Sequence, residues 1–173
     1  VGVVGSIAPW NYPLMMAAWK LGPALAGGNT IVLKPSEQTP LTLLKLGKAI
    51  ADIFPEGVVN IVVGKGATTG SALINHPKVS MVSLTGSIGT GQKVLQAAVS
   101  NIKRTHLELG GKAPVIVFDD ADIDGAVEGV VDAIWFNQGQ VCTAGSRLYV
   151  QKKLFDQVVD GIAGSAEKMK LGS

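Results

Sequence analysis

The chain is short of the residues on which several kinds of protein depend. It has one cysteine, Cys142, in 173 residues. No disulfide can form within it, and a cysteine metal cluster is excluded, so no metal is expected. Charged residues make up only 16%. The 15 basic residues are scattered, with no basic run interleaved with aromatics, and the net charge of +2 is too small to call for nucleic acid. No apolar run approaches the roughly 20 residues of a membrane span, because Lys20 and Pro23 interrupt the one from Leu14 to Ala26. Val1 to Ile7 is apolar without a basic lead, so no signal peptide is read there and a soluble cytoplasmic location is expected. An initiator Met is missing too. The chain opens inside a strand-like run and stops just after an amphipathic segment, so we expect a piece of a longer protein.

What is there is a globular composition, 47% hydrophobic with 22 glycines, enough for one core or for parts of two domains. Strand-like and helix-like segments alternate. Strands are expected at Val1–Ala8, Thr30–Leu33, Val58–Val63, Val79–Leu84, Lys103–Leu109, Val115–Phe118 and Leu148–Gln151. Between them fall helical patterns. One opens at Pro13 and stops at Gly27-Gly28. A second runs from Thr39-Pro40 to about Ile53, with Leu43, Leu46 and Ile50 on one face, and a short third ends near Asn75. A fourth follows Thr85-Gly86-Ser87, with Val94, Leu95 and Ala98 placed for burial. A fifth is capped by Asp122, its apolar residues Ile123, Ala126, Val127, Val130, Val131 and Ile134 at 3.6-residue spacing, and the last spans Lys153–Met169. Such alternation implies an α/β fold, a Rossmann-like parallel sheet with helices on both faces and ligands beyond the C-terminal ends of the strands. The glycine pair Gly110-Gly111 permits a sharp change of direction, so we expect domains at 1–110 and 111–173. Neither an internal repeat nor a low-complexity linker is seen.

Five segments carry chemistry. Cys142 follows Phe136-Asn137-Gln138-Gly139-Gln140-Val141, where the helical pattern has ended. A lone cysteine is commonly a small buried hydrophobe. On a loop or helix start, backbone N–H groups instead favour a thiolate, a strong nucleophile toward carbonyl carbon. Glu108 lies between leucines at a strand end. It either turns to solvent or pairs with Lys112, or it serves as a general base beside an apolar cleft. Asn11, in Pro9-Trp10-Asn11-Tyr12-Pro13, suits either a helix N-cap or an oxyanion donor. Lys34 and Glu37, in Lys34-Pro35-Ser36-Glu37, suit ribose hydroxyls, and the carboxylate would repel a 2′-phosphate. The alternative is a capped loop, with Ser36 or Thr39 as the cap and the charges in water. Thr85-Gly86-Ser87 begins a helix where backbone approach and the helix N-terminus favour a pyrophosphate. Its glycines do not match the dinucleotide fingerprint, and neither do Gly64, Gly66 and Gly70.

Pro-Trp-Asn, Lys-Pro-Ser-Glu, Thr-Gly-Ser, Glu-Leu-Gly-Gly-Lys and Gly-Gln-x-Cys all occur, in this order, from Pro9 to Cys142. In these motifs, in their order and in the separation of Glu108 from Cys142, the chain resembles the aldehyde dehydrogenase superfamily. It is most similar to the aminoaldehyde branch that includes gamma-aminobutyraldehyde and betaine aldehyde dehydrogenases. The resemblance implies the superfamily's Rossmann-like domain followed by the start of a second α/β, catalytic domain. It implies NAD-dependent oxidation of a small aldehyde to a carboxylic acid in a parent that is a homo-oligomer, dimer or tetramer. Cys142 is then the nucleophile, Asn11 the oxyanion donor and Glu108 the base that activates water. Trp10, Lys34, Glu37, Gly66, Gly86, Ser87 and Leu109 are the expected cofactor residues. Tyr12, Trp19 and Phe136 resemble the family's aldehyde tunnel, with faces suited to a cationic aldehyde or simply to packing. Leu84 departs from the Phe many members carry before Thr-Gly-Ser. The family's later Glu-x-Phe-Gly-Pro segment and its oligomerising strands do not occur. A CoA-acylating relative, which often lacks the glutamate, and a non-catalytic nucleotide-binding module remain as alternatives.

Overall fold

The computed structural model describes residues 1–172, which separate into two units, Val1–Leu109 and a second that begins at Gly110. In the first, β1 (Val3–Ile7) is the middle strand. It pairs in parallel with β2 (Thr30–Lys34) on one side and, as the chain returns, with β4 (Val79–Gly86) on the other. With β3 (Val59–Ile61) and β5 (Arg104–Leu109) the sheet has the order β3-β2-β1-β4-β5, parallel throughout.

Side chains alternate across this sheet, and each face has its own core. Val4, Ile31 and Leu33 pack with Met16, Ala17 and Leu21 of α1 (Pro13–Ala26) and Leu43 of α2 (Leu41–Ile50). On the other face Val82 and Leu84 pack with Leu73 and Ile74 of α3 (Ser71–Asn75) and Val94 of α4 (Ile88–Val99). Burial of each such side chain is worth roughly 1.5–3 kcal/mol. The sheet is therefore covered on both sides, as strand–helix alternation requires.

Pro13 is the first residue of α1, where its missing N–H costs nothing, and Gly27 ends the helix with its N–H on the Pro23 carbonyl at 3.1 Å. Ser87 caps α4, its Oγ accepting from the Thr90 N–H at 3.2 Å. Burial on α4 falls on Gly91, Val94, Ala97 and Ala98. Leu95, expected inside, is 49% exposed, because one residue's step past Val94 is about 100° around the helix. Neither Ser36 nor Thr39 caps α2. Its N-cap is Pro40, without a side-chain bond, the Ser36 Oγ accepts from the Gln38 N–H instead, and α2 ends at Ile50 rather than near Ile53. Strand β3 is shorter than Val58–Val63 because the Val58 N–H closes a turn onto Pro55 at 3.1 Å.

In the second unit β6 (Pro114–Val117) and β7 (Arg147–Val150) form a two-stranded parallel sheet. Val117 packs with Val130 of α5 (Ile123–Trp135) and Val158 of α6 (Phe155–Glu167). Asp122 caps α5, its Oδ2 accepting from the Gly125 N–H at 2.9 Å. The last helix is shorter than its pattern because a 3₁₀ turn, Lys152–Leu154, precedes it. No helix among the described residues is long and apolar enough to cross a membrane.

Ile31 is fully buried in the centre of β2. Ile31→Ala should lower unfolding free energy by roughly 2–5 kcal/mol, read as a lower urea midpoint at unchanged slope.

Candidate active site

Because the sheet is parallel, the residues that follow its strands emerge along one edge. Pro9 to Tyr12 follow β1, Pro35 to Glu37 follow β2, Gly64 to Gly70 follow β3, and Ser87 follows β4.

The tightest assembly on that edge joins Lys34, Glu37 and Gly66. Lys34 ends β2 with 2% of its surface exposed. Its Nζ donates to the Pro35 carbonyl at 3.0 Å and to Glu37 Oε2 at 3.2 Å. Glu37 Oε1 accepts from the Gly66 N–H at 3.4 Å. The carboxyl is held below the usual carboxylate range, first by its own backbone N–H and then by Lys34. Glu37 remains half exposed, so an ionised acceptor faces outward beside the strand ends. The expectation that both charges face water is corrected for Lys34, whose ammonium is buried on its partners.

Next to it a cleft of about 640 Å³ opens between the π-helical turn Gly66–Gly70 and α4, lined by Ile7, Gly66, Gly70, Ile74, Thr90 and Ala97 among others. Two of these residues are glycines and three are aliphatic, which gives that part of the cleft a small, largely apolar wall. Gly86 ends β4 and Ser87 begins α4, which places backbone N–H groups at a helix start. Leu109 ends β5 and packs on Gly91 of α4, where an added Cβ would lie 3.0 Å from Leu109 Cδ2.

Asn11 sits between β1 and α1. The N-cap of α1 is Tyr12, without a side-chain bond, so the capping alternative for Asn11 is set aside. Trp10 is 43% exposed and Tyr12 packs against the first core. Trp19 projects from α1 into solvent. Glu108 is exposed on β5, and the group beside it is His106, with Nε2 3.9 Å from Oε1. Behind them, the Lys20 Nζ donates to Ser83 Oγ at 3.0 Å and Ser83 Oγ lies 3.2 Å from His106 Nδ1. Sequence reading did not single out Lys20, Ser83 or His106, which the structure brings beside Glu108. The available signals were a lysine inside an apolar helical run and the two-residue spacing of His106 and Glu108.

Cys142 and Phe136 belong to the second unit. After α5 the backbone takes three successive left-handed residues, Asn137 at φ 50°, Gln138 at φ 62° and Gly139 at φ 72°. Two of these are not glycine, so the turn is strained. Cys142 follows it, exposed. The loop is tied down on both sides. Gly145 donates to the Ala133 carbonyl at 2.9 Å, and the Arg147 Nε donates to the Lys112 carbonyl at 2.8 Å. Gly111 comes so close that a Cβ there would meet the Cys142 carbonyl oxygen at 2.8 Å. The thiol is thus displayed on a constrained loop.

The sequence profile described as the aldehyde dehydrogenase family matches residues 1–173. Phenylacetaldehyde dehydrogenase from Pseudomonas fluorescens is 51% identical over 174 residues, covering 100% of this chain and 35% of its own length. Betaine aldehyde dehydrogenase from Bacillus subtilis (strain 168) is also 51% identical, with 100% of this chain and 36% of that protein covered. The structure of aldehyde dehydrogenase from Bacillus cereus in complex with NAD⁺ superposes at a TM-score of 0.97 with 49% identity, over 99% of this chain and 35% of that one. The chain therefore spans about a third of the length of the relatives it matches.

Burial pushes the Lys20 pKa down to about 8 from 10.5, against an opposing pull from the Glu108 charge. Between those values the unfolded chain holds a proton the folded one lacks, so this group makes stability rise with pH from about 8 to 10.5. Lys20→Met should remove that rise. Its stability relative to the unsubstituted chain should fall by roughly 2–3 kcal/mol between pH 7 and pH 10, measured by urea unfolding at both.

Proposed function

Since the chain belongs to the aldehyde dehydrogenase family, we propose that the whole protein oxidises an aldehyde to a carboxylic acid with NAD, using Cys142, Asn11 and Glu108. The observation that carries the reading is the chain's one thiol standing exposed on a strained, tied-down loop, which suits a nucleophile and not a packing residue.

The first unit fits the cofactor. Glu37, ionised and facing outward, accepts two ribose hydroxyls and disfavours a 2′-phosphate. The cleft beside Gly66 and Gly70 takes a purine, and Gly86 and Ser87 meet the pyrophosphate, with Trp10 and Leu109 alongside. When bound, NAD supplies the oxidant for the covalent adduct. The chain's own residues do the rest. The Cys142 thiolate adds to the aldehyde carbon to give a thiohemiacetal. The Asn11 amide and the Cys142 backbone N–H donate to the oxyanion. Once the adduct has been oxidised to a thioester, Glu108 takes a proton from water, which attacks the acyl carbon and releases the acid and the thiolate. Glu108 favours water over CoA as the acceptor.

The finer proposal is a cationic aldehyde, an aminoaldehyde such as gamma-aminobutyraldehyde. It is supported by the aromatic faces of Tyr12, Trp19 and Phe136, each worth roughly 0.5–2 kcal/mol to a cation, and by the betaine aldehyde dehydrogenase among the relatives. The phenylacetaldehyde enzyme is equally similar, so identity alone does not choose. An exposed, unpaired thiol suits the reducing cytoplasm, where we place the protein as a homo-oligomer.

In the full-length protein Cys142→Ala should abolish dehydrogenase turnover, followed as NADH formation. Asn11→Ala should slow acylation by ~10²–10³, and an unchanged single-turnover rate would reject its role. For substrate, kcat/KM for aminobutyraldehyde should exceed that for an uncharged aldehyde of equal length, and equality would reject the cation.

A further inference from the structure

Ser6, Ser83 and His106 occupy matched register positions on β1, β4 and β5, so three polar side chains stand in a row across the α1 face of the sheet. Ser6 and Ser83 are buried. In an apolar interior such groups are costly unless bonded; Ser83 is bonded to Lys20 and lies within reach of His106, whereas Ser6 Oγ has no hydrogen-bond partner among the described residues. Lys20 reaches Ser83 from α1.

The chemistry of these groups sets a direction. An ammonium only donates, so the Lys20 bond occupies a lone pair of Ser83 Oγ. A hydroxyl that accepts from an ammonium is polarised into a better donor, which favours the Ser83 O–H donating to His106 Nδ1, 3.2 Å away, over its second lone pair accepting from an Nδ1–H. An Nδ1 that accepts leaves the proton of the neutral imidazole on Nε2. Nε2 is the atom turned to Glu108 Oε1, 3.9 Å away. That exceeds a hydrogen bond by about 1 Å, a gap closed by a small side-chain rotation or a bridging water. The other charged groups facing His106 are Arg104 and Glu108, two residues to either side on its own strand, and Lys20 from α1. Strand β4 presents Met81, Ser83 and Thr85 on this face, none of them charged.

We propose that His106 is a positioning residue for Glu108: its Nε2–H, held in that tautomer by Ser83 and Lys20, steadies the carboxylate as an ionised base while water attacks the thioester. This rests on the reading of Glu108 as the base. It adds a residue outside the Glu-Leu-Gly-Gly-Lys motif, and it gives the buried Lys20 and Ser83 a task at the chemistry. Lys20 acts through Ser83 and His106, and touches no reacting atom.

The test uses the full-length protein with NAD and an aldehyde substrate, reading the pre-steady-state NADH burst and the steady-state rate. His106→Phe should keep the burst amplitude and KM and lower steady-state turnover on the order of tenfold, as loss of one bond to an ionised group does. His106→Gln, which returns an N–H near the Nε2 position, should recover most of the rate. Ser83→Ala, which frees the tautomer but keeps the ring, should fall between. Wild-type turnover in His106→Phe would overturn the proposal, as would His106→Gln being no better than His106→Phe, or a burst lost together with turnover. Glu108→Gln separates the two readings. If it leaves hydrolysis intact, the base assignment fails. If it stalls hydrolysis while His106→Phe behaves as wild type, only the positioning role fails. In the Glu108→Gln background, His106→Phe should change nothing further.

Discussion

Strand β1 is hydrogen-bonded in parallel on both sides, to β2 and to β4. Everything in the first unit follows from that pairing. Parallel strands cannot be joined by tight turns, so each connection must cross a face of the sheet, and helices form there because the crossing buries their apolar stripes. The chain crosses one face through α1 and α2, then the other through α3 and α4. The reversal falls between β1 and β4, which are followed by α1 on one face and α4 on the other. Loops that leave neighbouring strands there diverge to opposite faces and open a crevice, and Trp10 and Asn11 lie in the loop that leaves β1.

Three lysines are buried in this unit, and each is held by oxygen. Lys34 bonds Pro35 and Glu37, Lys20 bonds Ser83, and Lys103 bonds the carbonyls of His76 and Val79 at 2.6 and 3.0 Å. An aliphatic residue in any of these places would pack at lower cost. Lys34 and Lys20 instead fix the position of a second polar group, Glu37 in one case and the Ser83–His106 pair in the other. Lys103 pins the start of β5 to the turn before β4, which sets the register that carries His106 and Glu108. The stability given up in burying ammonium groups thus reappears as geometry at the strand ends.

Much of this was legible in the sequence. Alternation of β-branched runs with 3.6-residue apolar patterns is local, and it marked the strands and helices within a few residues. Cap chemistry was legible at Asp122, where only the asparate's own neighbours matter. At Ser36 and Thr39 it misled, because the Ser36 side chain found a nearer donor in its own turn. Leu95 was misjudged because apolarity alone does not tell which of two adjacent residues lies on the buried side. The polar row from Ser6 to His106 was beyond local reading. Its members are separated by 77 and 23 positions, and only strand order and register bring them side by side. The left-handed run at Asn137 and Gln138 left no signal either, since neither residue is a glycine.

The contact between Gly91 and Leu109 has a consequence for how this scaffold can vary. A single methyl group at position 91 would lie 3.0 Å from Leu109 Cδ2, closer than ordinary van der Waals contact, so the Leu109 side chain would have to give by a few tenths of an ångström. Glu108 is the next residue along. Position 91 is thus coupled to the end of β5 through Leu109, so the packing of α4 against the sheet constrains which residues that helix can carry opposite the strand that bears Glu108.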